Sequence, residues 1–176
     1  KMGATLPWGN EVTVAGAEGR FRVTPEFHVE WVVDPEETGS LVCMAFDEFG
    51  QIIASRENGP LVVIRDGDKD GLVETVDSYC DTMKNCQGLL PISGKVFAVG
   101  EGPQGPGLYC LADEDHDGRI DRTELVLKFP GEIREHGPHA LALGPDGLLY
   151  MIVGNFSQVA EKFAESSPYH DFYEGD

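Results

Sequence analysis

The sequence predicts an all-β fold built from a repeated unit. Apolar runs of four to six residues alternate with turns that are rich in Gly, Pro and Asp, which is typical of short strands. Turn glycines recur at Gly50, Gly94 and Gly147, at spacings of 44 and 53 residues. Four short strands in a unit of about 45 residues are typical of the four-stranded antiparallel blades of a β-propeller. The sequence therefore predicts β-propeller blades.

The predicted blades follow a short N-terminal arm. Residues 1–20 are Gly-rich and lack clear periodicity, so we expect them to form this arm. Residues 21–176 are expected to belong to the propeller. Its blade units are predicted at roughly residues 36–80, 86–130 and 136–176, which gives about three blades.

Each unit repeats one order of strands. In the first unit, residues 40–54 contain two apolar runs, residues 60–64 a third and residues 72–79 a fourth. The second unit repeats this order within residues 88–129. A further β-rich run at residues 27–33 precedes the first unit and predicts another strand.

The third unit contains only two apolar runs, at residues 139–143 and 148–153. A propeller closes its ring so that no blade edge remains unpaired. About three blades do not close such a ring, so we expect the chain to be part of a larger propeller. A compact four-bladed ring is the alternative for a chain of this length.

Two acidic loops are the best candidates for metal binding. In the second acidic loop, residues 113–124, acidic side chains stand at positions 1, 3, 5, 9 and 12, and Gly118 stands at position 6. This is the ligand pattern of a calcium loop, in which position 7 contributes its backbone carbonyl. The expected ligands are Asp113, Asp115, Asp117, the carbonyl of Arg119, Asp121 and Glu124.

The first acidic loop, residues 66–77, begins 47 residues earlier and repeats most of this pattern. Clustered carboxylates repel one another without a counter-ion, which favours a bound cation. A solvated Asp/Gly turn that binds nothing is the alternative for each loop. The second loop is expected to offer the fuller ligand set, and both loops are predicted to join the third and fourth strands of a blade. The expected ligands in the first loop are Asp66, Asp68, Asp70, the carbonyl of Leu72, and Glu74.

The charge of the chain excludes several kinds of partner. Asp and Glu number 31 against 13 Lys and Arg, which gives a formal net charge of −18. Such a surface repels phosphate backbones and anionic lipid, so nucleic acid is not expected as a partner. No apolar run reaches about 18 residues, so no transmembrane segment is expected.

The four cysteines help to predict the cellular compartment of the protein. Cys80 and Cys86 bracket a short polar loop that a disulfide could close, whereas Cys43 and Cys110 are predicted to be buried free thiols. The spacing Cys-x-x-Cys-His does not occur, so no c-type haem is expected in this chain. Calcium loops and a disulfide together favour an oxidising compartment. We therefore expect a periplasmic or extracellular protein, with any membrane association through other segments or partners.

The candidate catalytic residues lie in residues 134–155. His136 and His139 border a predicted inner strand. The segment that enters the innermost strand of a propeller lies near the central channel, where a neutral imidazole could act as a general base. Asn155 could donate a hydrogen bond to a ligand. Alternatively, each imidazole fixes the loop by binding to the backbone, and Asn155 caps a turn.

The run from His136 through Gly144-Pro-Asp-Gly-Leu-Leu-Tyr150 to Gly154-Asn155 resembles the glucose/sorbosone dehydrogenases. The resemblance implies a six-bladed, calcium-binding propeller that uses pyrroloquinoline quinone (PQQ), with His136 as the catalytic base. That family usually has Gly-Asp where this chain has Gly154-Asn155, and it often has Arg where this chain has Ala140.

A wider likeness covers roughly residues 20–176. The phrases Glu-His-Gly-Pro-His-Ala-Leu and Asp-x-Asp-x-Asp-Gly-x-x-Asp resemble the membrane-bound dehydrogenase propellers of planctomycete-type bacteria. This likeness implies a periplasmic quinoprotein-like dehydrogenase of sugars or alcohols, with a c-type cytochrome domain as partner. His136 would then accept the proton of the substrate hydroxyl while hydride passes to the quinone. The second hypothesis is a non-catalytic, calcium-stabilised platform for a protein or polysaccharide.

Overall fold

The described part of the chain is almost entirely β-structure. The computed structural model describes residues 10–13, 20–24, 26–130, 137–154 and 165–166. The predicted all-β class is confirmed, and the one helix among these residues is the single turn α1, Pro35–Thr38. The strands in chain order are β1 (Asn10–Thr13), β2 (Arg20–Val23), β3 (Leu41–Phe46), β4 (Ile52–Arg56), β5 (Leu61–Arg65), β6 (Thr75–Cys80), β7 (Lys84–Ile92), β8 (Lys95–Gly102), β9 (Gly105–Ala112), β10 (Arg122–Lys128), β11 (Pro138–Leu143) and β12 (Leu149–Val153).

Two four-stranded antiparallel sheets form complete blades. The strand order is β3-β4-β5-β6 in the first blade and β7-β8-β9-β10 in the second blade. Each strand pairs with the next one in sequence, so hairpins suffice to connect them. In both blades the third and fourth strands are joined by an acidic loop, as the sequence predicted.

Two further hairpins flank these blades. β11 and β12 form a hairpin that corresponds to the beginning of the third predicted unit, and it is called the third hairpin below. β1 pairs with β2, and this pair spans residue 20, the predicted boundary between arm and propeller. Residues 1–9 of the predicted arm and most of residues 155–176 lie outside the described residues.

The first strands of successive units lie side by side. β3 packs against β7, and β7 packs against β11. At Gly88 in β7 the approach is so close that an added Cβ would lie 2.1 Å from the carbonyl oxygen of His139 in β11. First strands that contact one another in series are arranged as in the blades of a propeller, which surround a common axis.

The main core lies between the two complete blades. Ile53 and Leu61 of the first blade share one buried cluster with Tyr109 and Leu111 of the second, and each is at most 1% exposed. Burying such a side chain stabilises the fold by about 1.5–3 kcal/mol. A smaller cluster around Phe129 joins the second blade to the third hairpin. Apolar burial therefore holds successive units together.

The predicted strand at residues 27–33 is wrong. This segment belongs to none of the described sheets, although Val32 accepts a hydrogen bond from the Val73 N–H at 3.2 Å. Aromatic and β-branched residues favour strands mainly through packing against cross-strand neighbours. In the described part of the chain, no strand pairs with this segment to provide them.

The disulfide that Cys80 and Cys86 could have closed is absent, because all four cysteines are free. Cys80 ends β6 and Cys86 lies within β7, so the two residues belong to different blades. The Cys80 sulfur lies 3.3 Å from the Thr82 hydroxyl, whereas the Cys86 N–H donates to the Ser55 hydroxyl at 2.9 Å. The expected oxidising compartment therefore rests on the calcium loops alone.

Burial keeps two of these thiols protonated at neutral pH. It raises the pKa of Cys43 to about 11, and it raises the pKa of Cys86 further. The Cys43 sulfur donates to the Cys86 carbonyl at 3.1 Å. Free thiols were expected at Cys43 and Cys110, and the structure confirms them, but both residues are half-buried rather than buried.

Candidate metal centres

The first acidic loop brings four carboxylates together. Oxygens of Asp66, Asp68, Asp70 and Glu74 all lie within 4.8 Å of one another, and the four residues are exposed. The chain between β5 and β6 is turned by two residues with positive φ, at positions 4 and 6. Position 6 is Gly71, whose φ of 96° is unfavourable for a residue with a Cβ.

The second acidic loop has the same backbone design between β9 and β10. Positions 4 and 6 are His116 and Gly118, with φ of 62° and 91°. Here three carboxylates lie within 4.8 Å of one another, those of Asp113, Asp115 and Asp117. The two clusters thus occupy equivalent places in the two blades.

Backbone N–H groups hold the carboxylates in the same way in both loops. Asp66 at position 1 accepts the N–H groups of Asp70 at 3.2 Å and Gly71 at 2.9 Å. The corresponding bonds to Asp113 have the same lengths. The position 5 carboxylate accepts the N–H of position 7, at 2.8 Å from Leu72 and 2.9 Å from Arg119. These bonds fix the orientations of the carboxylates before any cation binds.

Position 9 differs between the loops. Glu74 belongs to the first cluster and also accepts the Gly67 N–H. The shorter Asp121 accepts the N–H groups of Glu114 at 2.8 Å and Asp115 at 3.3 Å, and it is not part of the second cluster. The first loop therefore has the fuller carboxylate set, contrary to the expectation from sequence.

Position 12 is outside both clusters. Glu124 lies in β10, and its carboxylate is 3.6 Å from the Arg122 guanidinium. Asp77 lies in β6 and pairs with Arg65 at 2.8 Å. A strand begins only a few residues after each cluster and carries position 12 away, whereas the helix of an EF-hand returns it to the ion. The expected ligand role of Glu124 is therefore not supported by its position.

The second loop borders the first blade. Burial and, second, the negative charge of Asp113 raise the pKa of Tyr79 in β6 to about 12. Arg65, at the end of β5, donates to the Gly118 carbonyl at 3.3 Å and to Gln51 Oε1 at 2.8 Å. Arg65 was not among the residues predicted from sequence, and its only sequence signal is its place directly before Asp66.

Of the candidate catalytic residues, the structure describes His139 alone. His139 lies in β11, is half-buried, and its backbone carbonyl faces Gly88. His136 and Asn155 lie outside the described residues. The structure therefore gives no geometry for the predicted catalytic base.

The donor atoms in both clusters are carboxylate oxygens, which are the ligands of hard cations such as Ca²⁺ and Mg²⁺. The fold and these sites define a class: an all-β protein with propeller-like blades and one acidic cluster per complete blade.

Residues 14–173 match the model of a family described as Domain of unknown function (DUF7133), so the chain belongs to this family. No curated protein and no solved structure matches the chain. None of the described helices is long and apolar enough to cross a membrane.

Proposed function

We propose that this chain is a calcium-stabilised region of a β-propeller, in which each acidic loop binds one Ca²⁺ and fastens the third strand of its blade to the fourth. One observation carries the proposal. Clusters of three and four carboxylates stand at equivalent places in two blades, and the same backbone hydrogen bonds hold them. Two turns that merely faced solvent would not need to share this arrangement.

The ligand chemistry favours Ca²⁺ over other divalent ions. Neither cluster contains Cys or His, which are the usual ligands of Zn²⁺. Mg²⁺ demands near-ideal octahedral geometry and gives up water reluctantly, whereas Ca²⁺ accepts irregular sets of oxygens. Sites of extracellular modules bind Ca²⁺ with dissociation constants of about 10⁻⁴–10⁻³ M. Exposed loops of this kind would suit the periplasmic or extracellular location that we propose.

Isothermal titration of the chelator-treated chain with CaCl₂ tests the proposal. We expect two ions per chain, and one ion fewer in each of Asp68→Asn and Asp115→Asn, which change single central ligands. Glu57→Gln is the matched control, because it removes one negative charge outside both loops. No bound Ca²⁺, or an unchanged stoichiometry in both ligand variants, would contradict the proposal.

A second proposal is that the complete protein is a quinoprotein-like dehydrogenase of sugars or alcohols. It is supported by the resemblance around His136 and by the place of the third hairpin, whose first strand packs against β7. PQQ would supply the hydride acceptor, and no described residue is assigned to hold it. His136 would take the proton of the substrate hydroxyl. A c-type cytochrome domain would be the electron-accepting partner.

Turnover by the complete protein with PQQ, an artificial electron acceptor and a panel of sugars and alcohols tests this second proposal. His136→Gln should lower the rate by about 10²–10⁴, because that is the usual contribution of a general base. His139→Gln should lower it less. Without turnover, the platform for a protein or polysaccharide becomes the better account, and the calcium proposal is unaffected.

A further inference from the structure

The second acidic loop makes direct contact with the outer strand of the blade before it. Ile120, at position 8 of the loop, donates its N–H to the Tyr79 carbonyl in β6 at 2.8 Å. The Ile120 side chain packs against the buried cluster between the blades. The Arg119 guanidinium lies 3.2 Å from the Asp81 carboxylate, just after β6. Position 8 therefore joins the loop of one blade to the outer strand of another.

The first acidic loop repeats this contact. Val73, at its position 8, donates its N–H to the Val32 carbonyl at 3.2 Å. Val32 precedes Tyr79 by 47 residues, and Val73 precedes Ile120 by the same number. The two hydrogen bonds are thus equivalent under the internal repeat, although Val32 lies in none of the described strands.

Side chains next to the acceptor carbonyl repeat as well. The Trp31 indole N–H donates to Asp34 Oδ1 at 3.0 Å. At the positions 47 residues later, the Ser78 hydroxyl donates to Asp81 Oδ1. Residues 27–34 therefore show the same two features as the end of the first blade, a backbone contact with an acidic loop and a local side-chain hydrogen bond. The residue types that form the side-chain bond differ.

We propose that residues 27–34 hold the place of the outer strand of a preceding blade, and that position 8 of each acidic loop is the docking point for such a strand. The partner that this docking point fits is an extended segment that presents a backbone carbonyl beside the loop. Residues 27–34 fill the role for the first loop, and the end of β6 fills it for the second. The docking contact uses backbone atoms that are distinct from the carboxylate clusters.

Arg65 reinforces the contact between the second acidic loop and the first blade. Its guanidinium donates to the Gly118 carbonyl across the blades and to Asp77 within its own blade. A Cβ on Gly118 would lie 2.9 Å from the Arg65 Nη2 atom, which is the end of a flexible side chain and can shift, so glycine is needed there for its φ of 91° rather than for space. Arg65 thus acts as a positioning residue for the loop of the neighbouring blade.

Amide hydrogen exchange of the full chain, followed by NMR, tests the docking. We expect the Val73 and Ile120 amides to exchange at least about tenfold more slowly than those of Leu72 and Arg119, which bond only to exposed carboxylates of their own loops. Equal exchange of Val73 and Leu72 in the wild-type chain would overturn the proposal, whatever any variant does.

Three variants make the test specific. Trp31→Ala should speed exchange at Val73 and leave Ile120 unchanged. Arg65→Met should speed exchange at Ile120 and leave Val73 unchanged, whereas Arg122→Met should change neither, because Arg122 pairs with Glu114 and Glu124 within the second blade. Acceleration of both amides by either Trp31→Ala or Arg65→Met would indicate general loosening and would refute two separate docking points.

Discussion

Gly88→Ala tests the packing of the third hairpin against the second blade. An added Cβ would lie 2.1 Å from the His139 carbonyl oxygen, about 1.3 Å short of the 3.4 Å at which ordinary contact begins. Because the clashing atom belongs to the backbone, no side-chain rotation relieves the clash, and β11 must move away from β7. We expect a cost of about 3 kcal/mol, at the upper end for overpacked cores.

For a chain of this size, 1 kcal/mol corresponds to about 2–4 °C in melting temperature, so Gly88→Ala should melt about 6–12 °C lower. Circular dichroism melts measure the shift. Gly67→Ala is the control, because its Cβ would meet only Glu74 Oε2, at an ordinary 3.5 Å. That variant should melt at or slightly above the wild-type temperature. An unchanged melting temperature in Gly88→Ala would refute the contact between β7 and β11.

Three further outcomes are expected. Ca²⁺ at a hundredfold excess over its dissociation constant should add roughly 2.7 kcal/mol per site, and a chelator should abolish this rise in melting temperature. Tyr109→Phe should cost about 1–3 kcal/mol in urea unfolding, because the buried hydroxyl accepts the Gln104 N–H at 3.1 Å and donates to the Gly105 carbonyl at 2.7 Å, and both bonds would be lost. Stability should fall as the pH rises from about 8.5, where an unfolded thiol ionises, towards the folded-state pKa of Cys43 of about 11. Cys43→Ala should reduce this alkaline loss, and an identical pH profile in that variant would contradict the assignment.

The hairpins could be predicted from sequence because their causes are local. Ser93 and Gly94 adopt φ of 53° and 70° in the tight turn between β7 and β8. A Ser-Gly pair between two apolar runs is typical of such a turn. The acidic loops were found for the same reason, since every ligand within a cluster comes from fewer than ten consecutive residues. Local chemistry thus sets the strand order and the carboxylate clusters.

Other features depend on distant parts of the chain. Gly88 reads as an ordinary strand glycine until His139, 51 residues later, is placed beside it. Cys80 and Cys86 are close in sequence, but the boundary between two blades separates them. Glu124 fits a ligand pattern that comes from loops flanked by helices. The second acidic loop is followed by a strand instead. Each of these features depends on a contact or an element that the neighbouring residues do not encode.

If each acidic loop binds a cation as proposed, the two loops should respond differently to its loss, because their carboxylate clusters differ in size. Four carboxylates within 4.8 Å of one another form six repelling pairs and three form three, so the first loop contains twice as many repelling pairs as the second. The second loop is also tied to the first blade, because Arg65 donates to the Gly118 carbonyl and the loop's own Arg119 pairs with Asp81.

Titration with a chelator should therefore open the first loop before the second. The Leu72 and Arg119 amides are matched reporters, because each occupies position 7 and donates to the position 5 carboxylate, at 2.8 and 2.9 Å. We expect exchange at Leu72 to accelerate at the lower chelator concentration, and Asp68→Asn to reduce that acceleration, because it removes one charge without changing the acceptor of the Leu72 N–H. Earlier acceleration at Arg119 would show that the guanidinium groups do not stabilise the cation-free second loop, and it would reverse the predicted order of the two sites.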